Sequence, residues 1–226
     1  QKNMEFVKAD IHNYIKTMED NCIDMIYTNP PFGTTEQKWD KPLDWKNLFP
    51  EMWRVLKPNG VIVLHCAIPF TYQLMRFETP KYHYTWKKKN PTGFFQAKKQ
   101  PLRDIEEIMV YYKTGKGSVT YNPQMIGDKV KTTIRKASKS KYFGARQRTI
   151  TTTHVGHYPR TFIGEFPRVI KGGKSTPKPI IVQMVKTYTN EGETILDMTH
   201  CNQYVGEIVE SLNRKYIGVD INPEFY

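Results

Sequence analysis

Val61-Ile62-Val63-Leu64-His65 contains four consecutive apolar residues with no polar alternation. A strand of that kind has no side for water. It has to be covered on both faces, as the inner strands of a parallel sheet are. The remaining chain supplies what such a sheet needs. Glu5-Phe6-Val7, Ile23 to Tyr27, Tyr82 to Lys88, Ile105 to Tyr112, Thr194 to Asp197 and Tyr216 to Asp220 read as further strands. Ile11 to Met18, Phe70 to Phe77, Val205 to Leu212 and the face Ile180, Ile181, Met184 and Val185 read as helices. Leu48, Met52, Val55 and Leu56 also fall at helical spacing, and that helix should stop at Lys57-Pro58-Asn59-Gly60. Strands alternating with helices at this interval predict an α/β chain with a doubly wound, mostly parallel sheet. Its 226 residues are enough for one large domain carrying an inserted segment.

The strand Ile23 to Tyr27 runs into Thr28-Asn29-Pro30-Pro31-Phe32. Proline has no backbone N–H and restricts the residue before it, so two prolines end a hydrogen-bonding ladder abruptly. The tetrad Asn29, Pro30, Pro31 and Phe32 therefore forms a rigid corner at the carboxyl end of a strand. It offers one amide side chain, freed carbonyls and one ring, a set that can hold a planar base bearing an amino group. An ordinary Pro-Pro loop is the plain alternative.

The net charge of +12 points to a polyanionic partner, with nucleic acid first. The charge is uneven. From Lys129 to Arg148 there is no Asp or Glu, while Lys129, Lys131, Arg135, Lys136, Lys139, Lys141, Arg146 and Arg148 are all cationic. Tyr142, Phe143 and Arg146 interleave ring and charge, as a stacking surface for bases does. The stretch from 118 to 160 is polar and weakly periodic, and is expected to be a long insertion or loop. Cys22, Cys66 and Cys201 are widely spaced and odd in number, which favours neither a disulfide framework nor a zinc site. A reducing, intracellular setting follows. No apolar run is long enough to cross a membrane. His154 and His157 lack acidic or cysteine partners at metal-like spacing, so no metal is expected. The chain begins at Gln1 rather than Met, so a missing N-terminal portion is expected.

Two strands end in acids, at Asp197 and Asp220, separated by one strand–helix–strand unit. In such folds an acid ending the second strand commonly accepts hydrogen bonds from ribose hydroxyls. Asp10 would end the next strand over. The three acids together point to an adenosine-type ligand at the carboxyl edge of the sheet. Helix capping is the plain alternative for each.

With these parts in this order, the chain resembles the permuted type of DNA amino-methyltransferase, in which the catalytic half precedes the cofactor half. Asn29-Pro30-Pro31-Phe32 matches that family's Asp/Asn/Ser-Pro-Pro-Tyr/Phe tetrad. Asn21 to Thr35, Lys38-Trp39-Asp40 and Trp53 to Gly60 resemble its flanking segments. Thr176-Pro177-Lys178-Pro179 resembles the Thr-Gln-Lys-Pro element that begins the cofactor half. The resemblance implies a Rossmann-like methyltransferase sheet, S-adenosylmethionine as cofactor and DNA as substrate. It divides the chain into a catalytic half (1–117), a basic target-recognition insertion (118–170) and a cofactor half (171–226). It also implies cofactor contacts at Asp10, Asp197, Thr199, Asp220 and Lys178, and transfer to the exocyclic amine of a flipped-out adenine at Asn29, Pro30, Pro31 and Phe32. Asn in the tetrad favours adenine over cytosine.

One segment departs from the family. Its cofactor loop has the form Asp-Pro-Phe-x-Gly-Ser-Gly-Thr-Thr, whereas this chain reads Asp197-Met198-Thr199-His200-Cys201-Asn202-Gln203-Tyr204-Val205. Glycines there allow close approach of backbone to ligand and positive φ. Side chains at Cys201 and Gln203 are expected to crowd the methionine end of the cofactor, while Asn202 tolerates a left-handed conformation. Three readings follow: an active adenine methyltransferase, a DNA-binding subunit that has lost the cofactor and partners an active paralogue, or a methyltransferase of RNA or protein glutamine. Assembly as a homodimer or a heteromer is left open.

Overall fold

A computed structural model describes residues 3–36, 38, 40–113, 118–140, 142, 144–146, 148–167, 169 and 176–222. Contacts divide the chain into two units, one of residues 1–122 with 161–226 and one of residues 123–160.

The larger unit opens with β1 (Met4–Lys8), α1 (Ile11–Thr17), β2 (Ile23–Thr28), α2 (Trp45–Val55) and β3 (Leu56–Cys66). It continues with α3 (Phe70–Met75), β4 (Tyr82–Thr92) and β5 (Arg103–Tyr112). The second unit contains β6 (Ile126–Arg135), β7 (Ser138–Ser140), β8 (Gly144–Arg146) and β9 (Ile150–His157). The larger unit resumes with β10 (Phe162–Phe166), α4 (Lys178–Tyr188), β11 (Thr194–Asp197), α5 (Tyr204–Ser211) and β12 (Lys215–Asp220).

The main sheet has eight strands in the order β1-β12-β11-β2-β3-β5-β4-β10. Only the pairings of β5 with β3 and with β4 are antiparallel. The run Val61 to Leu64 splits between two cores, as its lack of alternation requires. Ile62 and Leu64 pack beneath α1, α2 and α3, while Val61 and Val63 pack against α4 and α5. All four are 0% exposed, and burying each such side chain contributes roughly 1.5–3 kcal/mol at most. Helix α2 places Trp45, Leu48, Phe49, Met52 and Val55 on one buried face. From the opposite side of that helix Arg54 reaches α1, donating to the carbonyls of Ile15 and Met18.

Three local expectations change. The helix stops just ahead of Lys57 as expected, but Leu56 caps it and already starts β3, so Lys57 to Gly60 are strand. Between the pairs Ile23↔Leu56 and Met25↔Val61 the strand bulges, because Pro58 cannot donate to the ladder. Gly60 brings the chain back so closely that a Cβ there would lie 2.8 Å from the Asp24 carbonyl. The expected loop over 118–160 contains regular structure: β6 pairs with β9 and β7 with β8. The segment Phe162–Phe166, expected inside the insertion, is an edge strand of the main sheet beside β4. Phe166 has the apolar contact that strand needs, against the Trp86 ring. No helix among the described residues is long and apolar enough to cross a membrane.

Candidate active site

Strands β1, β12, β11, β2 and β3 run parallel, so their carboxyl ends share one edge. The chain direction around the sheet reverses between β11 and β2, the position where α/β sheets open a crevice. Thr28 closes the floor of that crevice. It is buried, its hydroxyl donates to Asp197 Oδ1 at 3.3 Å, and its oxygen accepts the Met198 N–H at 2.9 Å. Asn29 follows with its side chain exposed. Its Nδ2 donates to Thr176 Oγ1 at 3.2 Å, which fixes the plane of the amide. The Thr199 hydroxyl donates to the Asn29 carbonyl at 3.4 Å.

Past the two prolines, Phe32 is half-buried and stacked on Phe70, with centroids 5.1 Å apart and planes 18° apart. Asp40 holds the chain beyond it. Its carboxylate collects the N–H groups of Gly33, Thr34 and Thr35 and the Thr35 hydroxyl. Burial pushes that carboxyl up, but these bonds outweigh it and hold it below its ordinary value. Gly33 has φ +66° and a Cβ there would collide with Pro42 at 2.4 Å, so the corner requires glycine.

Asp197 is turned into the protein. It accepts the Tyr216 hydroxyl at 2.8 Å, the Thr28 hydroxyl and the Thr199 N–H. Burial raises its carboxyl to about 6, against the pull of those donors and of His200. Because the folded value lies above the ordinary 3.8, the folded chain binds this proton more tightly than the unfolded chain. The group's stabilising contribution is complete below about pH 4 and is lost as pH rises to about 6, on the order of 3 kcal/mol in all. Urea unfolding across that range is expected to show this slope in the wild type and not in Asp197→Asn. Equal slopes would remove Asp197 as its source.

Asp220 lies at the end of β12, half-exposed. Its Oδ2 accepts the Cys201 N–H at 3.0 Å and its Oδ1 the Asn222 N–H at 2.9 Å. Asp10, one strand further, is exposed and caps α1, accepting both the N–H and Nδ1 of His12. Lys178 is exposed at the first turn of α4, two residues beyond Thr176. Thr199 is half-exposed beside Asn29. The edge thus gathers Asn29, Thr199, Asp197, Asp220 and Lys178, with Asp10 at its flank.

The glycine-poor loop takes a glycine-like path. Cys201, not Asn202, has the positive φ, at 60°. It occupies the place of the family's first loop glycine. A non-glycine residue in that region costs roughly 1–2 kcal/mol, and the Asp220 carboxylate holds it there. Asn202 instead accepts the Tyr204 N–H at 2.9 Å through Oδ1, one residue ahead of the Gln203 N-cap of α5. His200 is buried against Phe6 and over Gly218. A Cβ on Gly218 would lie 2.9 Å from the His200 Cβ, so the missing side chain is what admits the loop.

A model of the DNA methylase family matches residues 23–226. The chain belongs to the DNA methylase family. Within it, the chain is 26% identical over 223 residues to the type II methyltransferase M.HpaI of Haemophilus parainfluenzae, spanning 93% of this chain and 68% of that protein. It is 23% identical over 239 residues to the DNA adenine methyltransferase YhdJ of Escherichia coli K12, spanning 97% and 79%. The solved M1.HpyAVI–SAM complex has the same fold, with TM-score 0.58 at 17% identity over 99% of this chain and 95% of that one. The mostly parallel sheet with its one reversed strand is therefore the Rossmann-like α/β fold of a DNA methylase.

In the second unit of this DNA methylase, Lys131, Thr133 and Arg135 alternate along β6, opposite His154, Thr152 and Ile150 of β9. Lys129 precedes them on the same strand, and Lys136 follows it. Lys139 lies on β7, the Arg146 backbone on β8, and Arg148 is exposed ahead of β9. Lys141 falls outside the described residues, as do Trp39 and Phe143. Among the described residues no group of three His, Cys, Asp or Glu side chains could hold a metal. His65 is wholly buried and bonds the Tyr27 hydroxyl at 2.7 Å, and burial pushes it down to about 3.

Sequence reasoning passed over Thr28 and Tyr216. Hydroxyls of this kind are common in any chain, and only the register of β2, β11 and β12 makes those of Thr28 and Tyr216 part of one site.

Proposed function

We propose that this chain is an S-adenosylmethionine-dependent DNA methyltransferase acting on the exocyclic amino group of a flipped-out adenine. One observation carries the reading. Asn29 is exposed at the switch point with its amide nitrogen held by Thr176, which leaves the amide oxygen to face a ligand. The adenine amine is a poor nucleophile because its lone pair is spread into the ring. Hydrogen bonds from its two N–H groups to the Asn29 Oδ1 and the Pro30 carbonyl localise that pair on nitrogen. Phe32, braced by Phe70, holds the plane of the base. Positioning of this kind is worth effective molarities of ~10⁵ M or more. The nitrogen becomes cationic as its bond to the methyl carbon forms, and then loses its proton to solvent.

The residues at the edge fit the cofactor. Cys201 follows the backbone path a loop glycine would take, which is what supports cofactor binding over its loss. Asp220, half-exposed, would accept the ribose hydroxyls, with Asp10 beside the adenine ring and Thr199 and Lys178 toward the methionine end. Asp197 would act through the loop it anchors. The bound cofactor supplies an electrophilic methyl group on a sulfonium. In this reading residues 1–117 and 171–226 are the catalytic and cofactor halves, and the basic ribbon between them contacts DNA phosphates. A two-stranded ribbon is narrow enough to enter a groove. DNA as substrate places the enzyme inside the cell.

The test is calorimetric titration of the whole chain with S-adenosylmethionine, followed by transfer of labelled methyl to unmethylated genomic DNA. Micromolar binding at one site and label recovered as N6-methyladenine are expected. Label in N4-methylcytosine would overturn the choice of base. The absence of both heat and transfer would overturn the enzyme.

A further inference from the structure

The β4–β5 hairpin stands above the edge that carries Asn29. Because β5 is antiparallel to both β3 and β4, β4 ends at the same edge as β2 and β3. The last residue of β3, Cys66, pairs with Glu107, as does Thr85, yet the hairpin continues, through a bulge in β4 between Lys87 and Thr92, to the pair Thr92↔Arg103. Residues 103–106 therefore extend beyond β3 by roughly 13 Å. Laterally, β5 is two strand spacings from β2, roughly 10 Å.

The overhang is built to stand. Lys88 bridges to Glu106 at 3.2 Å and to the Thr92 hydroxyl at 3.2 Å. At its tip Gly93 takes φ +92° and starts a 3-10 turn over Phe94–Gln96. The tip is closed by the N–H groups of Gln96, Ala97, Lys99 and Gln100. On this ordered turn Phe94 is 64% exposed and Phe95 105% exposed. Aromatic rings are the residues a fold has most to gain from burying, and this one offers two to the solvent from a fixed turn. From Lys89 to Arg103 there are four cations and no acid, and Lys98 and Lys99 make no ion pair among the described residues.

We propose that this tip is a stacking wedge. Phe95, supported by Phe94, enters the base stack of the target duplex beside the nucleotide that leaves it, and Lys98, Lys99 and Arg103 hold the flanking phosphates. The partner is DNA because apolar wedges flanked by cations suit a base step between two phosphate strands. By these offsets the base of the tip lies roughly 20 Å from the catalytic corner, on the same edge of the sheet. The inference rests on methyl transfer to a flipped base, and it names what fills the vacated space.

The test compares wild type, Phe94→Ala/Phe95→Ala and Phe95→Trp in methyl transfer to native and to heat-denatured genomic DNA. Both rings are exposed, so unchanged melting temperatures are expected. The double variant should lose about 10- to 100-fold on native duplex, a range set by the value of one base–aromatic stack. It should stay within about 2-fold of wild type on single strands, where nothing has to be unstacked. Phe95→Trp should keep its duplex activity, and its added indole emission should be quenched by duplex DNA. Undiminished duplex transfer in the double variant, or equal loss on both substrates, overturns the wedge. So does unquenched indole emission. Wild type that transfers to no DNA overturns the enzyme reading instead, and the indole signal still decides whether the tip stacks. If wild type transfers to duplex only, that signal decides as well.

Discussion

Asn29→Ala is expected to lower the rate of methyl transfer by at least ~10³-fold while leaving affinity for S-adenosylmethionine and DNA within about 2-fold. The substitution removes an acceptor that matters most when the amine lone pair is localised, so its loss falls on kcat rather than on binding. Removal of a single preorganised hydrogen-bonding group at a reacting centre typically costs 10²–10³-fold. Here the amine keeps only the Pro30 carbonyl and loses its plane as well. Stability should hardly change, because the Asn29 side chain is exposed and gives up one bond, to Thr176. Asn29→Asp is the informative companion. A carboxylate oxygen still accepts from the amine and the Thr176 hydroxyl can donate to the other, so measurable transfer should survive. Single-turnover transfer to DNA with all three proteins separates these outcomes, and undiminished transfer by Asn29→Ala would sink the catalytic assignment.

Asn29 was legible in the sequence because two prolines at the end of an apolar run fix both where a strand stops and what it exposes. The sheet was legible for a related reason: Val61 to Leu64 cannot face water on either side, and the structure divides them between two cores. Three kinds of feature were not legible. Hydroxyl partners such as Thr28 and Tyr216 become a site only through register, which local pattern does not specify. The ribbon of β6 and β9 has almost every side chain exposed, so it lacks the apolar alternation by which strands announce themselves. Asn202 is the residue of the cofactor loop that best tolerates a left-handed conformation, yet that conformation occurs at Cys201. A tertiary bond from Asp220 to the Cys201 N–H outweighs that preference.

That same bond makes Asp220→Ala the second large effect. In the proposed site the carboxylate accepts the ribose hydroxyls, and in the structure it already holds the Cys201 N–H. Bonds to a charged acceptor contribute about 1.5–3 kcal/mol each, so affinity for S-adenosylmethionine should fall roughly 10- to 100-fold from the lost ligand bonds alone. Cys201, released from its anchor, should leave the left-handed conformation and bring its side chain toward the cofactor, adding to the loss. Two further variants separate the contributions. Asp220→Asn keeps an oxygen for the Cys201 N–H but loses the charge, and should weaken binding by about 10-fold. Cys201→Gly removes the strain without touching the acid, so it should stabilise the chain by about 1 kcal/mol and leave cofactor affinity equal or tighter. Calorimetry on the three proteins decides between a ligand role and a loop role. If Asp220→Ala binds as wild type does, Asp220 leaves the site. If its deficit is repaired by adding Cys201→Gly, the carboxylate acts through the loop, and the ribose hydroxyls find their acceptor elsewhere along the edge.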